Sequence, residues 1–433
     1  METLRFLMAT TFYPPHHLGG DAVHVRYLSE ALAAQGHEVH VEYSPAAYAV
    51  KRPASDAPAA ERDASVQVHP LTRTSQRSSP IAAYLLGESH AVSRAHEKLV
   101  RDLKPDVIHL HNISLLGLGV HRGGEGVPVL YTAHDYWFRC PRSDLLKRGQ
   151  TPCETPTCFS CMVASRRVPP PWRATDVAPR MDRVRCVIAP SQFMQRLAAA
   201  SFSCPVVPIP NFVPDENPDG SVEPAGAYYL YLGVLERHKG IAQLVEAISR
   251  YSGEKRFVLV GRGSLEKPLR DLAGQGASRL EVRSGVDRSA LAVLLKHAAA
   301  FLMPSIWYEN APLAAIEALS WGTPLLGTSR GGMPELVHGG AAGVTFEPTV
   351  DGILEAITSF ENRGNPDALR HGAREAYETH HRPGPYLERY LSVIRSLASG
   401  EAPAAADGQE GAGPGGKDRG PEEVLLQNGR HDP

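Results

Sequence analysis

Short apolar runs that end in polar residues and lead into helical patterns recur along the chain, and they constrain its fold more than any other feature. Residues 5–10 form such a run, typical of a buried parallel strand. Val25, Leu28 and Leu32 follow it at helical spacing, and residues 38–42 alternate as a second strand. This order of strand, helix and strand predicts a parallel sheet with helices on its faces, the α/β class.

The connections in this first segment also have interpretable chemistry. The loop 11–20 carries two prolines, two histidines and the pair Gly19-Gly20, and Asp21 after it is predicted to cap the helix. Gly36 is predicted to end the helix. Residues 45–65 are rich in Ala, Pro, Ser and charge, so a surface loop is expected there.

Further strands are predicted in two series along the chain. They are residues 107–110, 127–132 and 187–189 in the first series, and 228–232, 257–260, 300–303 and 324–327 in the second. Polar residues lie at the ends of the strands of the first series: His109 and His111, then His134-Asp135, then Ser191. Ligands of open α/β sheets gather at the carboxyl ends of strands, so these side chains are candidates for a site.

A proline-rich stretch at 205–226 separates the two series and is interpreted as an interdomain linker. We therefore expect a first domain at 1–205, with an insertion at about 139–175, and a second domain at 206–383. A crossover helix is expected at 384–399. Residues 400–433 are mostly Gly, Pro, Ala and charge, and this tail is predicted to be disordered.

Charge and hydropathy exclude two classes of protein. The formal net charge is −2, whereas proteins that coat nucleic acid need a large basic excess, so no nucleic-acid partner is expected. No apolar run approaches the roughly 18 residues that a membrane span needs, and the amino terminus lacks a signal-peptide core. The expectation is a soluble cytoplasmic protein.

The stretch 304–319 is the most informative part of the sequence. Pro312 suits the first turn of a helix, and free backbone N–H groups after it would favour a phosphate. Glu309 precedes the helix, and Glu317 lies within an otherwise apolar stretch, where a carboxylate needs a partner. Sugar hydroxyls would supply one. The alternative is that Glu317 meets a basic side chain on a helix face.

Two glycine-containing turns add to this stretch. Arg237 and Lys239 precede Gly240 after the first strand of the second series, where two cations would neutralise a diphosphate leaving group. The alternative is a solvated basic turn. Gly331-Gly332 precedes a Pro-started helix, which suits close approach of a ligand or a tight turn.

Taken in order, these motifs resemble the family-4 retaining glycosyltransferases of the GT-B fold, from about residue 5 to 395. The motifs are Phe12-Tyr13-Pro14-Pro15 with Gly19-Gly20, Gly36-His37-Glu38-Val39, Pro105-Asp106-Val107-Ile108-His109, His134-Asp135, Pro190-Ser191, Pro210-Asn211, Lys239-Gly240, Val260-Gly261-Arg262-Gly263, Glu309 and Glu317 with seven residues between them, Gly322-Thr323-Pro324, and Gly331-Gly332-Met333-Pro334-Glu335. The resemblance implies two Rossmann-like domains facing across a cleft. It also implies transfer of a sugar from a nucleotide diphosphate sugar with retention at the anomeric carbon.

The resemblance also implies roles for individual residues. Glu309 would contact the donor sugar, Glu317 would hold the ribose hydroxyls, and His134 would reach the sugar ring. The remaining expected donor-site residues are Lys239 at the phosphates, the backbone N–H groups near Leu313 and Ala314 at the distal phosphate, Gly19-Gly20 in a loop closing over phosphates and acceptor, and Asn310, Ala311 and Gly261 from the same motifs.

One position departs from the family pattern. The family usually has Arg where this chain has Val234, and Arg237 is the predicted substitute in the phosphate clamp. The resemblance implies a front-face mechanism that needs no divalent metal, with the leaving phosphate oxygen accepting the proton of the acceptor. A UDP or GDP sugar is the expected donor, and the acceptor is a saccharide, a lipid-linked group or a small molecule of polysaccharide or glycolipid synthesis. The alternatives are a catalytically weak sugar-nucleotide binding protein and a GT-B epimerase or phosphorylase.

Four cysteines and a basic surplus mark the insertion. Cys140, Cys153, Cys158 and Cys161 fit a tetrahedral structural Zn²⁺ site that would order the loop, with free thiols or an iron–sulfur cluster as alternatives. Residues 139–185 hold ten Lys or Arg against four acidic residues. This surplus would suit peripheral contact with an anionic membrane at the inner face, and a solvated basic loop is the alternative.

Overall fold

The computed structural model divides the chain into two units by packing. The first unit contains the described residues of Met1–Arg148, Cys153–Ile209 and Leu387–Pro433, and the second those of Gly149–Pro152 and Pro210–Tyr386. The structure describes residues 3–53, 64–72, 78–122, 124, 126–153, 155–174, 176–276, 279–363 and 365–403. The predicted disordered tail therefore lies outside the described residues from residue 404 onward.

A parallel sheet of seven strands forms the centre of the first unit, in the order β3-β2-β1-β4-β5-β8-β9. The strands of this part of the chain are β1 (Arg5–Ala9), β2 (Glu38–Tyr43), β3 (Val66–Pro70), β4 (Val107–Leu110), β5 (Val129–Thr132), β6 (Leu146–Lys147), β7 (Thr151–Pro152), β8 (Val184–Ala189) and β9 (Val206–Pro208). β1 lies inside the sheet, where Phe6 pairs with Val39 on one side and Val107 on the other. Four of its five residues are buried, as its apolar sequence predicts.

Helices connect these strands. Those of this part of the chain are α1 (Gly20–Ala34), α2 (Pro45–Lys51), α3 (Ser78–Leu86), α4 (His90–Leu103), α5 (Cys158–Ala164) and α6 (Gln192–Ala199). The predicted order of strand, helix and strand is confirmed here, because β1, α1 and β2 follow one another and the two strands pair in parallel.

Some expectations about this unit were wrong in detail. Part of the predicted loop at 45–65 is the helix α2, which begins after Ser44, whose side chain accepts a hydrogen bond from the N–H of Ala47. Residues 54–63 of that loop lie outside the described residues. Gly19, not Asp21, is the N-cap of α1, and Asp21 lies in the first turn. The predicted linker at 205–226 begins with β9.

The second unit has a parallel sheet of six strands in the order β12-β11-β10-β13-β14-β15. The strands are β10 (Tyr228–Leu232), β11 (Arg256–Val260), β12 (Leu280–Arg283), β13 (Ala300–Met303), β14 (Leu325–Thr328) and β15 (Gly343–Phe346). The helices that follow in the chain are α7 (Ile241–Arg250), α8 (Glu266–Gly274), α9 (Arg288–His297), α10 (Leu313–Ser320), α11 (Met333–Leu336), α12 (Val350–Glu361), α13 (Pro366–His380) and α14 (Pro383–Ala398).

The core of the second unit packs helices against this sheet. Tyr229, Phe257, Leu302 and Leu326 are all buried in one cluster with residues of α7 and α12. Each fully buried side chain of this size stabilises the fold by roughly 1.5–3 kcal/mol. β13 lies between β10 and β14, so the carboxyl ends of these three strands meet at one edge of the sheet.

The described residues also bear on membrane insertion. Within them, no helix has both the length and the apolar character that crossing a bilayer requires.

Candidate active site

Lys239 and Glu309 form a buried ion pair at the carboxyl edge of the second sheet. Lys239 ends a short 3-10 turn after β10, and Glu309 follows β13, the neighbouring strand. Lys239 Nζ lies 2.8 Å from Glu309 Oε1, and the Ser305 hydroxyl donates to the same oxygen. The side chains of the pair are 16% and 4% exposed, so little water competes with these contacts. The structure thus brings together two of the predicted site residues.

Two glycines hold the backbone on either side of this pair. Gly240 has a φ of +72°, and a Cβ there would lie 1.7 Å from the carbonyl oxygen of Pro304. Gly331 has a φ of +69°, and its Cβ would lie 2.2 Å from the carbonyl oxygen of Glu309. The N–H of Gly332 donates to that carbonyl over 2.7 Å. These glycines are therefore required for close approach of backbone to backbone.

The charge of Glu309 is stabilised by its neighbours. Burial alone would raise its pKa, but the Lys239 charge and the hydrogen bonds from Lys239 and Ser305 outweigh burial and hold the pKa below its usual value. The ring of Trp307 lies 4.4 Å from Lys239 Nζ and adds a cation–π contact. The pair therefore presents an ionised carboxylate and an ammonium group side by side, which suits sugar hydroxyls and phosphate respectively.

The start of α10 offers donors beside this pair. Its helical residues begin at Leu313, and Pro312 is the N-cap, one residue before the first turn where we expected it. The N–H groups of Leu313 and Ala314 make no hydrogen bond to a described residue. Asn211 Nδ2 donates to the carbonyl of Ala311 over 3.0 Å and so holds the chain that enters the helix. Free N–H groups at a helix start form an anion site.

Glu317 has a different environment from Glu309. Its carboxylate is 15% exposed and lies 3.6 Å from Arg288, which also donates to Glu216. The sequence analysis offered the alternative that Glu317 meets a basic side chain. The contact with Arg288 agrees in part with that alternative. At 3.6 Å this ion pair is long.

The predicted clamp residue Arg237 is exposed, and its side chain forms no hydrogen bond or ion pair with a described residue. Val234 is 45% exposed. Arg330, which the sequence reasoning missed, is anchored to the segment before Glu309, since its guanidinium donates to the carbonyl of Ile306 over 2.6 Å. The sequence could have indicated Arg330, because it is a cation directly before Gly331-Gly332 at the end of a strand.

The remaining predicted residues of the second unit are explained partly by packing. A Cβ at Gly261 would lie 1.8 Å from the carbonyl oxygen of Gly233, so a glycine is required there without any ligand. Asn310 and Ala311 are nearly buried between Glu309 and the start of α10. Both therefore line the same stretch of backbone as the ion pair.

In the first unit, four imidazoles cluster at the ends of β4 and β5. His111 Nδ1 lies 2.9 Å from His134 Nε2, and the rings of His109 and His111 are 4.0 Å apart. The ring of His24 from α1, which the sequence reasoning missed, lies 5.2 Å from that of His134. In the sequence, only its position one helical turn after Gly20 could have pointed to His24. The strand-end histidines thus lie together, as expected.

Burial sets the protonation of this cluster. It lowers the pKa of His134 to about 3, so the imidazole is neutral at physiological pH. Burial also raises the pKa of the neighbouring Asp135 to about 7, although the carboxylate accepts a hydrogen bond from the N–H of Trp137. The cluster can therefore donate or accept hydrogen bonds without a net positive charge.

The loop before α1 carries the predicted Gly19-Gly20. Asp21 in the first turn accepts a hydrogen bond from the N–H of Ala22 and another from Asn112 Nδ2, at 2.9 and 2.8 Å. These bonds tie the beginning of α1 to the segment that follows β4. The loop is therefore anchored at its carboxyl end.

The four cysteines of the insertion lie near one another in the first unit. Burial and the neighbouring thiols of Cys140, Cys158 and Cys161 raise the pKa of Cys153 to about 12. The N–H of Arg148 donates to Cys161 Sγ over 3.1 Å. Among the described residues, however, no three Cys, His, Asp or Glu side chains are grouped so that they could hold a metal ion. The zinc site therefore stays a prediction.

Comparison with known families identifies the chain. A family profile described as Glycosyltransferase Family 4 matches residues 18–217, and one described as Glycosyl transferases group 1 matches residues 215–378. The chain belongs to glycosyltransferase family 4. It is a glycosyltransferase of the GT-B fold, so the predicted family, fold class and enzyme class are confirmed.

Individual relatives agree with this assignment. The glycogen synthase of Mycobacterium tuberculosis is 27% identical to this glycosyltransferase over 390 residues, which cover 86% of this chain and 89% of that protein. The solved sucrose-phosphate synthase from Thermosynechococcus elongatus has a TM-score of 0.67 at 18% identity and covers 92% of this chain and 100% of that one. Anabaena HepE, solved with UDP, has a TM-score of 0.63 at 16% identity and covers 91% of this chain and 100% of that one.

Proposed function

We propose that this glycosyltransferase takes its sugar from a UDP or GDP sugar bound by the second unit. The observation that carries this is the Lys239–Glu309 pair beside the free N–H groups of Leu313 and Ala314. The N–H groups bind the distal phosphate, Lys239 neutralises its charge, and Glu309 accepts hydrogen bonds from the sugar. Glu317 holds the ribose hydroxyls while keeping its long contact with Arg288. HepE, a neighbour in fold, was solved with UDP, which supports a nucleoside diphosphate donor.

We also propose that transfer proceeds with retention and without a divalent metal. Lys239 and the helix N–H groups supply the charge stabilisation that a metal would otherwise supply to the leaving diphosphate. Glu309 is held by Lys239 and Ser305, so it positions the sugar and is not the nucleophile. The leaving phosphate oxygen takes the proton of the acceptor hydroxyl as the new glycosidic bond forms. His134 serves as a neutral hydrogen-bonding group for the sugar.

Arg237 is our proposed phosphate clamp in place of the Arg that Val234 replaces. Its side chain is exposed and without a described partner, so binding a diphosphate breaks no existing ion pair. Arg330 already donates to the Ile306 carbonyl and would be the competing clamp. A charged hydrogen bond contributes roughly 1.5–3 kcal/mol, so Arg237→Gln should weaken UDP binding about 10- to 100-fold. If Arg330→Gln weakens UDP binding and Arg237→Gln does not, Arg330 and not Arg237 is the phosphate clamp.

A donor panel tests the proposal as a whole. UDP, GDP and ADP sugars are screened by thermal shift, and nucleotide release is then measured with and without saccharide and lipid-linked acceptors. We expect one donor to raise the melting temperature and to release nucleotide faster with an acceptor, and the product to keep the anomeric configuration when examined by NMR. Binding without acceptor-dependent release would instead indicate a sugar-nucleotide binding protein, and inversion would overturn retention.

A further inference from the structure

Exposed hydrophobic side chains are concentrated on one part of the first unit. Among the described residues, nine large hydrophobic side chains are exposed, and six of them belong to α2, α3 and the α5 segment. The six are Val50, Ile81, Leu86, Phe159, Val163 and Val168. Leu86 is 73% and Phe159 75% exposed, so most of each side chain contacts no other part of the protein. Single exposed hydrophobic residues are ordinary, but a concentration of them indicates an interaction surface.

Contacts join these segments into one surface, which we call the apolar face. Tyr84 of α3 donates from its hydroxyl to the carbonyl of Val168 over 2.6 Å. Trp172 Nε1 donates to the carbonyl of Tyr84 over 2.8 Å. On the other side, Tyr84 packs against the cluster that contains Ala47 and Tyr48 of α2. α3 therefore lies between α2 and the irregular segment that follows α5 and contains Val168.

The charges on the apolar face are all of one sign. Lys51, Arg52, Arg166 and Arg167 are exposed, and none of them forms an ion pair with a described residue. Residues 45–53, 78–87 and 158–173 contain no Asp or Glu. Partial burial of the Lys51 amine and the nearby charge of Arg167 lower the pKa of Lys51, so these two cations lie close together. The face therefore combines hydrophobic side chains with uncompensated positive charge.

We propose that the apolar face docks this glycosyltransferase on an anionic lipid bilayer. Phe159, Leu86 and Val168 enter the boundary between headgroups and acyl chains, while the four cations contact lipid phosphates. Two copies of the chain could not pair through this face without bringing like charges together. The cations lie among strongly exposed hydrophobic side chains, and this combination fits the interface of an anionic bilayer, which offers phosphates and acyl chains together.

The position of the face connects it with the proposed acceptor. Phe12 and Leu18, in the loop that carries Gly19-Gly20, pack in the same cluster as Tyr48 and Tyr84. Docking would therefore hold this loop near the bilayer surface, where a lipid-linked acceptor is presented. This last step rests on the proposed function, because it assumes that the loop lies beside the acceptor.

Flotation with lipid vesicles tests the proposal on the full-length chain. One set of vesicles is phosphatidylcholine alone, and the other is phosphatidylcholine mixed with phosphatidylglycerol. We expect the protein to float only with the second set and to be released by added salt. Each basic side chain at an anionic surface contributes about fivefold, so Arg166→Gln with Arg167→Gln should lower the partition coefficient about 30-fold. Phe159→Ser with Val163→Ser should also lower it.

Matched controls separate the face from general charge and hydrophobicity. Arg94→Gln with Arg101→Gln removes two exposed cations from α4 of the same unit, and Val293→Ser removes an exposed valine from α9. These controls should float like the unaltered chain. Circular dichroism and melting temperature check that every variant is folded.

Three results would overturn the proposal. They are no binding to either set of vesicles, equal binding to both sets, and a dimer in sedimentation velocity that Phe159→Ser dissociates. Nucleotide binding is measured on the same samples without vesicles. An unaltered chain that binds nucleotide but neither set of vesicles overturns only the docking surface, whereas an absence of nucleotide binding in the unaltered chain overturns the proposed function.

Discussion

Glu309 is buried and yet ionised because Lys239 and Ser305 both donate to one of its oxygens. The same contacts hold the Lys239 amine against this carboxylate in a largely enclosed position. An arriving diphosphate would share Lys239 with Glu309, so binding of the donor and orientation of the sugar are coupled through one ion pair.

Glu309→Gln keeps the shape of the side chain and removes its charge. We expect the turnover number to fall about 100-fold or more, as for loss of one preorganised electrostatic contact, while the fold is retained. Steady-state kinetics and the melting temperature check this outcome. Glu355→Gln, an exposed position on α12, is the control and should leave turnover unchanged. Equal turnover in the two variants would remove Glu309 from the mechanism.

The close approach of Gly331 to Glu309 gives a second expectation. Gly331→Ala places a Cβ 2.2 Å from the Glu309 carbonyl oxygen at a φ of +69°, so it should both destabilise the unit and displace Glu309. Gly339→Ala has nearly the same φ, +66°, with nothing within 4 Å of its Cβ. That control should cost only about 1–2 kcal/mol of left-handed strain. Chemical denaturation measures both, and equal losses of stability would contradict the account of Gly331.

The regular elements near the sites were largely predictable from sequence because their cause is local. β4, β10 and β13 lie at the predicted bounds, since short apolar runs depend only on neighbouring residues. α2 was missed because Ala and Pro suit a loop or a helix equally well, and the Ser44 cap and burial of Tyr48 decide between them.

Contacts between distant residues account for what the sequence could not supply. Asn211 holds the Ala311 carbonyl from 100 residues away, and Arg330 reaches the Ile306 carbonyl from a different strand. The pairing of Lys239 with Glu309 likewise follows from the adjacency of β10 and β13, which the chain order does not reveal. Residue types at strand ends indicated a site, but the sheet order determines which of them meet.

The insertion that carries α5 provides a test at the scale of one element. If zinc orders this loop, protein purified without chelator should contain zinc, and Cys158→Ser with Cys161→Ser should remove it and lower the melting temperature. Cys186→Ser with Cys204→Ser, outside the insertion, is the control and should retain the metal. Elemental analysis makes the measurement. Metal-free protein with four titratable thiols in the insertion would contradict the prediction.

For the whole molecule, the buried histidines predict how stability depends on pH. Burial lowers the pKa of His134 and His381 to about 3 and that of His338 to about 4, from an ordinary value of 6.5. The unfolded chain therefore binds more protons than the folded one in this window, so stability falls as the pH falls from about 6.5 towards 4.

Asp135 acts in the opposite direction, since its raised pKa, about 7, favours the folded state at lower pH. One carboxyl opposes several imidazoles, so the net effect is a loss of stability on acidification. Melting temperatures measured across this range at constant ionic strength give the result. A melting temperature that rises as the pH falls from 6.5 would contradict the neutral state assigned to these histidines.

The position of the donor diphosphate decides the proposed mechanism, and a crystal structure of the full chain with UDP or GDP shows it directly. We predict the distal phosphate within hydrogen-bonding distance of the N–H groups of Leu313 and Ala314 and of Lys239 Nζ. A nucleotide bound elsewhere, with the Lys239–Glu309 pair and the start of α10 untouched, would contradict the proposed site.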